Sequence, residues 1–484
     1  MFRSILFFLI TAFCLPVLAK DWEVFVLFAG ADMTEDYQAD IDQNVLELAR
    51  AEIGPGLRLK ILREFKDRLV VFQPNPKGPL KIWDSLFQSP PVKGIQVGGT
   101  WKERSLQGRI WRSSVLKEEL SSFYSADSYR MLVVYGHGEG AKGLRSIGTK
   151  DLRNVLENAL PSRSNEAPLD ILWMDACFMA NLEAAYEFRH LSPYYVSSQE
   201  AEFSSGMPFD DLDLVVNQEP LKVAQHLALK FIESYSVLKN GSQSRAVEKS
   251  SATISVIETA QLERWSPELK RDAEKLRSEQ ERNPSLWNRR ALAIRMENSS
   301  LVDVGGLLRW ISTPSSELLE IKDQRDLRTT PRVTVSNVKG GTQVVFAFDG
   351  WTRGAKDDPL LRNLPSRMEP RGFFTYKGRS FPMRPLKKKI TLNPFTVGTK
   401  EFDWMIVDDK GRIQAGPFRV RRTRDISYRA AERRDNPIAF FASTHGVGSS
   451  SEKYSGLNVT SPFEVLPSLD YVDLDFVLTT SWIQ

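Results

Sequence analysis

The chain has 484 residues, of which 42% are hydrophobic, 10% aromatic and 26% charged. These proportions exclude a disordered chain, a collagen-like repeat and a disulfide-rich miniprotein, and the length leaves room for about three domains whose cores need no metal or disulfide. A formal charge of +4 is too small for this length to argue for a nucleic-acid or membrane partner, so any such bias must be local.

The N-terminus reads as an address. Arg3 precedes an apolar run from Ile5 to Leu18, and Val17-Leu18-Ala19 has the small-residue pattern that a signal peptidase cuts after. Residues 1–19 are therefore expected to be a cleaved signal peptide that exports the chain to the periplasm or the exterior. The run is too short for a transmembrane anchor and is broken by Thr11 and Pro16, no later segment is long enough to span, and the bulky Phe13 before Cys14 does not suit lipidation. Cleavage removes Cys14 and leaves Cys177 as the sole cysteine. A disulfide within the mature chain is then impossible, and the lone thiol is either buried and inert or kept for its reactivity.

Along the mature chain, strands alternate with helices. Residues 22–31 form an apolar run rich in β-formers, and Asp32 to Arg50 follows with helical spacing at Ile41, Val45 and Leu48. Leu57 to Leu62 alternates like a strand, and residues 63–112 read as hairpins and loops. Val115 to Tyr124 suggests a helix. Met131 to Tyr135 is a buried strand that opens into Gly136-His137-Gly138-Glu139-Gly140; residues 149–160 are helical with Thr149 as the expected cap, and Leu169 to Met174 is a second buried strand running into Asp175-Ala176-Cys177. Helix character follows at Phe178–Arg189, strand at Tyr194–Ser198, helix at Leu221–Leu238, strand at Ala252–Ile257 and a charged helix at Glu258–Arg282. Short apolar strands separated by helices predict a mostly parallel sheet covered on both faces, and ligands bind such sheets outside the carboxyl ends of the strands. His137 and Cys177 both fall there.

Cys and His together suit nucleophilic acyl transfer. The thiol attacks a carbonyl when deprotonated, and an imidazole at the adjacent strand mouth takes that proton and returns it to the leaving amine. The Gly138 N–H, with that of Cys177, is placed to stabilise an oxyanion. Read from residue types alone, a packed core thiol and an ordinary loop histidine remain the competing interpretation.

At these residues the sequence resembles the clostripain-like cysteine peptidases, which share the caspase-like fold with caspases, legumains and gingipains. The matching pieces are MLVVYGHGEG at 131–140, LDILWMDACFMANLEAAYEF at 169–188 and YYVSSQEAEFSSGMPFDDL at 194–212, with further likeness at WEVFVLFAGADM, SATISVIETAQL and LVDVGGLL. The resemblance spans about residues 20–310. It implies a caspase-like three-layer α/β sandwich with Cys177 as nucleophile, His137 as general base and acid, and Gly138 as oxyanion donor. It also implies that Asp175 lines the pocket for an Arg or Lys side chain before the scissile bond, with Glu200 and Glu202 as secondary candidates. A carboxylate in a partly dry pocket complements such a cation. Phe178 stands where the family usually has Leu. Relatives are often matured by a cut between the two catalytic strands, where this chain has Lys142, Arg145, Lys150 and Arg163.

His190 ends a predicted helix and His226 lies in a polar helix face, so both are read as structural; His445 sits in an expected late loop, Thr444-His445-Gly446. No metal-ligand spacing is present, so no cofactor is required, while calcium held by loop carboxylates, as in relatives, stays open. Beyond about residue 325 period-two alternation predicts a β-rich accessory domain at 326–435, including KKKITLNPF. Between Trp351 and Arg434 it has 21 Lys or Arg against 9 Asp or Glu, a face that suits an acidic polymer, an anionic membrane surface or the catalytic domain itself. No nucleic-acid module accompanies it, so nucleic-acid binding is not expected. Residues 436–484 are expected to return to the catalytic domain, which occupies 20–325. The resulting expectation is an exported cysteine endopeptidase acting on protein or peptide substrates with basic residues, through a thioester acyl-enzyme. A non-catalytic peptide-binding protein and a transpeptidase-like acyl transferase are the competing readings, and no feature of the sequence speaks to an oligomeric state.

Overall fold

The structure is a computed structural model that describes residues 20–31, 33–50, 55–66, 68–79, 98–106, 109–164, 166–236, 241–243, 251–282, 300–305 and 307, strands between 332 and 430, and residues 437–445, 455–460, 469–480 and 482. The expected signal peptide and the segment KKKITLNPF lie outside these residues.

A ten-stranded sheet organises the molecule. Its centre consists of β1 (Trp22–Phe28), β2 (Leu57–Glu64), β5 (Tyr129–Tyr135), β8 (Ile171–Asp175) and β9 (Tyr194–Ser197), which run parallel in the order β9-β8-β5-β1-β2. Antiparallel strands extend both edges. On one side β3 (Leu69–Pro79) and β4 (Gly98–Leu106) form a hairpin beside β2; on the other, β10 (Ser251–Glu258) pairs with β9 and with β19 (Ile438–His445), and β18 (Ile426–Ala430) closes the edge.

The parallel strands are apolar throughout because both their faces are covered. On β1 Trp22, Val24, Val26 and Phe28 enter one core, while Phe25 and Leu27 enter the other. The first core is closed by α1 (Glu35–Arg50), a 3-10 turn at Phe209–Val215 and α5 (Pro220–Tyr235), through residues such as Ile41, Leu212 and Phe231. The second is closed by α2 (Ser113–Phe123), α3 (Thr149–Ala159), α4 (Leu182–Glu187), α6 (Thr259–Arg282) and α8 (Asp475–Thr480), through Leu120, Leu156, Ala184, Leu262 and Phe476. Helices on both faces of a largely parallel sheet give the three-layer α/β sandwich that the strand and helix alternation predicts.

Three local expectations change. The helix expected to start at Phe178 starts at Leu182, because Asn181 caps it, its side chain accepting from the Ala184 N–H at 3.1 Å. Thr149 is not a cap: Gly148 occupies that position, and the Thr149 hydroxyl donates instead to the Ala141 carbonyl at 2.6 Å. His445 ends strand β19 opposite Ser251 rather than sitting in a loop. Further along the chain β12 (Arg332–Val338), β13 (Gly341–Asp349), β16 (Glu401–Val407) and β17 (Ile413–Arg424) make a separate four-stranded sheet, and β14 (Phe373–Tyr376) and β15 (Arg379–Pro382) make a hairpin. β18 lies within the stretch expected to be accessory but pairs in the main sheet. Finally β20 (Asn458–Thr460) pairs with β11 (Leu301–Asp303), and α7 (Leu469–Val472) precedes α8. Among the described residues no helix is long and apolar enough to cross a membrane.

Candidate active site

β5 and β8 are adjacent and parallel, with Tyr135 opposite Asp175. His137 and Cys177 each follow two residues later, so the register alone brings both to one end of the sheet. The two loops touch directly. A Cβ built on Gly138 would stand 2.1 Å from the Cys177 carbonyl oxygen and 2.8 Å from the Cys177 nitrogen, a backbone-to-backbone approach that only glycine allows.

Downstream of His137 the chain folds back on itself through β6 (Gly143–Leu144) and β7 (Ile147–Gly148). Gly138 bridges Leu144, and the hydrogen bonds of that bridge run from the Glu139 N–H to the Gly143 carbonyl (2.8 Å) and from the Arg145 N–H to the His137 carbonyl (2.9 Å). Both bonds belong to residues flanking Gly138, so its own N–H stays outside the ladder, directed elsewhere. The His137 ring is half-buried and meets the Tyr37 ring edge-to-face, with centroids 4.7 Å apart.

The loop carrying Cys177 is held just as firmly. The Phe178 N–H donates to the Glu200 carbonyl at 3.0 Å and the Ala180 N–H to the Ser198 carbonyl at 2.7 Å. Phe178 has φ +62, a left-handed conformation that costs a non-glycine residue about 1–2 kcal/mol, and such strain persists only where the surroundings over-determine it. The Cys177 sulfur lies on the Glu202 backbone, 3.2 Å from its nitrogen and 3.5 Å from its oxygen. The sulfur thus accepts from the Glu202 N–H and donates to the Glu202 carbonyl.

Beneath the cysteine is a pair of carboxyls. Asp175 is buried and its Oδ2 accepts from the Met207 N–H at 3.0 Å. Burial raises its pKa, against the lowering effect of its contacts with Glu202 and Met207. The Glu202 carboxyl is pushed well up, first by burial and then by the neighbouring Asp175 charge. Asp175 Oδ1 and both Glu202 carboxyl oxygens are sealed from solvent, with the Trp173 side chain near Asp175 and the Ala176 backbone near Glu202 favouring the charged forms. Two adjacent buried carboxyls cannot both ionise, so one retains its proton and donates it to the other. Gly206, at φ +55, packs against this pair: a Cβ there would stand 2.5 Å from Asp175 Oδ2.

Of the residues singled out in the sequence, His137, Gly138, Cys177, Asp175 and Glu202 come together. Glu200 is buried nearby, and its backbone acts as a brace: the N–H donates to Thr253 Oγ1 at 3.0 Å and the carbonyl accepts from Phe178 and Ser198. Sequence reasoning did not find Tyr37, which carries no motif, nor the buried amides around Asn181, Gln199 and Asn458, whose partners are hundreds of positions apart. Among the described residues no group of three or more His, Cys, Asp or Glu could hold a metal ion.

Residues 113–329, from α2 onward and including the loops that carry His137 and Cys177, match the clostripain family. This segment belongs to the clostripain family. The protein is accordingly a cysteine-type peptidase. Solved structures with distant similarity include a secreted C11 cysteine protease from Bacteroides thetaiotaomicron bound to an irreversible peptide inhibitor, at 16% identity and TM-score 0.43, covering 68% of this chain and 90% of that one. Another is an inactive zymogen C11 protease from Parabacteroides distasonis, at 15% identity and TM-score 0.41, covering 66% and 88%. No curated protein matches the chain.

Proposed function

We propose that this peptidase is an exported endopeptidase that cuts after Arg or Lys, with Cys177 as nucleophile and His137 as general base and acid. The observation that carries the reading is the register of β5 against β8, which sets His137 and Cys177 at equal offsets beyond paired residues. The sulfur, already receiving the Glu202 N–H, attacks the substrate carbonyl as a thiolate after its proton passes to His137. The oxyanion that forms takes a hydrogen bond from the Gly138 N–H. The C–N bond breaks as His137 returns the proton to the departing amine, leaving a thioester, and water activated by the same imidazole releases the acid and regenerates the thiol.

Preference for a basic side chain rests on the Asp175–Glu202 pair. It retains one negative charge in a dry setting, and a guanidinium or ammonium entering there is matched by that charge. Glu200 braces the loop through its backbone. Export is supported by the apolar run and small-residue site that end at Ala19.

The test is hydrolysis of fluorogenic peptides ending in Arg, Lys, Asp or Asn by the mature chain, with and without calcium, beside Cys177→Ala. Cleavage after Arg or Lys that disappears in the variant is expected. Turnover after Asp or Asn alone would refute the specificity, and product formation that switches to amine adducts when free amines are added would mark an acyl transferase.

A further inference from the structure

The clostripain-family match ends at residue 329, yet one of the groups that fix the nucleophile loop comes from near the end of the chain. Asn458 opens β20 and is wholly buried. Its backbone N–H and both side-chain polar atoms reach the nucleophile loop and the segment that begins at Gln199. Its backbone N–H donates to the Ala180 carbonyl at 2.9 Å. Its side-chain Nδ2 donates to the Gln199 carbonyl at 2.7 Å, and its Oδ1 accepts from Asn181 Nδ2 at 2.8 Å. Ala180 and Asn181 follow the nucleophile by a few residues, whereas Gln199 leads into the loop whose Glu202 N–H points at the Cys177 sulfur. One carboxamide therefore sets the spacing between the sulfur and the N–H aimed at it.

The segment carrying Asn458 is itself locked by polar contacts. The Gln199 side chain donates to Asp303 Oδ1 and to the Leu457 carbonyl, both at 2.8 Å, and accepts from the Gly456 N–H at 2.7 Å. Asp303 Oδ1 also accepts from the Ser455 N–H at 2.7 Å, and Asp303 lies opposite Asn458 in the β11–β20 pair. Gly456 takes φ +102, and a Cβ there would meet the Phe441 ring at 3.0 Å. A buried hydrogen-bonded network selects a single geometry, and here that geometry is the relative position of the nucleophile loop and the segment from Gln199 to Glu202.

We propose that Asn458 is a positioning residue for Cys177, so that the C-terminal segment 455–460 completes the active site of the upstream domain. This rests on the reading of Cys177 as the nucleophile. Asn458→Asp keeps the shape and the acceptor for Asn181 but replaces the donor to the Gln199 carbonyl with a second acceptor. The loops then separate, and displacement of reacting groups by about 1 Å costs on the order of 100-fold in rate.

The experiment uses the full chain and compares wild type, Asn458→Asp, Asn181→Ser and Tyr471→Phe. The second variant keeps a capping oxygen for α4 but cannot reach Asn458. The third removes a hydroxyl that bonds Glu183 in the same C-terminal region, away from Asn458. Read-outs are kcat and KM on a basic peptide, the pH dependence of Cys177 alkylation by iodoacetamide, and the melting temperature. The expected result for Asn458→Asp is a kcat fall of roughly 10- to 100-fold at little-changed KM, with the alkylation profile moved to higher pH. Asn181→Ser should show a smaller change of the same kind and Tyr471→Phe should show neither. Wild-type kcat and alkylation in Asn458→Asp would overturn the proposal; if that variant does not fold, wild-type values in Asn181→Ser would do so. Were the wild type inactive on every peptide, the peptidase reading would fail by itself, and the alkylation comparison would still decide the role of Asn458.

Discussion

Replacing Gly138 by alanine is the sharpest test of how the His137 and Cys177 loops meet. The new Cβ would lie 2.1 Å from the Cys177 carbonyl oxygen, 2.8 Å from its nitrogen and 3.0 Å from the Ala176 carbonyl carbon. All three are backbone atoms, so no side chain can rotate away. Carbon–oxygen contact begins near 3.3 Å, so the loops must part by about 1.2 Å. A displacement of that size is worth about 100-fold in rate, or about 2.7 kcal/mol of barrier, and overpacking of a tight site costs about 1–3 kcal/mol of stability besides. The control is Gly136→Ala, where the nearest atoms are side-chain carbons at 3.7 Å and no strained backbone is involved. Steady-state kinetics on a basic peptide together with calorimetry should show kcat collapsing in Gly138→Ala at a modest loss of melting temperature, with Gly136→Ala close to wild type. Full activity in Gly138→Ala would refute both the contact and the placement of the oxyanion donor.

Glu202→Gln removes one of two carboxyls whose pKa values burial raises. A carboxyl with a raised folded pKa binds more protons folded than unfolded, so its contribution favours folding at acid pH and is lost as pH climbs through the folded value. The variant should melt higher than wild type at neutral pH and lose that advantage below about pH 4, while KM for Arg and Lys peptides rises; thermal melts across pH and kinetics on paired substrates measure both, and an advantage independent of pH would contradict the shared proton. Arg63 is fully buried against Asp42, with its Nη1 2.5 Å from Oδ1, and also bonds Gln38. Arg63→Ala takes this buried ion-pair partner from Asp42 and should cost about 3–5 kcal/mol, read by denaturant titration. If the chain cuts itself between the catalytic strands, N-terminal sequencing should find the cut after Arg145, whose side chain is 56% exposed in the β6–β7 turn, and not after Arg163, which is 7% exposed and bonded to Asp170 at 2.8 Å.

The alternation of apolar strands and amphipathic helices was legible in the sequence because burial on both faces forces continuous apolar runs, as in Met131 to Val134 and Ile171 to Met174. The places where those runs break into polar loops marked His137 and Cys177. Helix limits were less legible at α4, where the Asn181 cap competes with favourable spacing that begins at Phe178. Role assignment within the acidic loop was harder still. Glu200 and Glu202 look alike in sequence, and only the fold turns the side chain of one against Asp175 while using the backbone of the other as a brace.

What the sequence by itself determined is local: periodicity, strand ends and the glycines beside His137 all arise from neighbours along the chain. Tertiary structure alone decided the pairing of β5 with β8, the shared proton of Asp175 and Glu202, the ring contact of Tyr37 with His137 and the reach of Asn458 to the nucleophile loop. Those features depend on which distant groups burial brings together, and a buried hydrogen bond leaves no periodic trace in the chain that forms it.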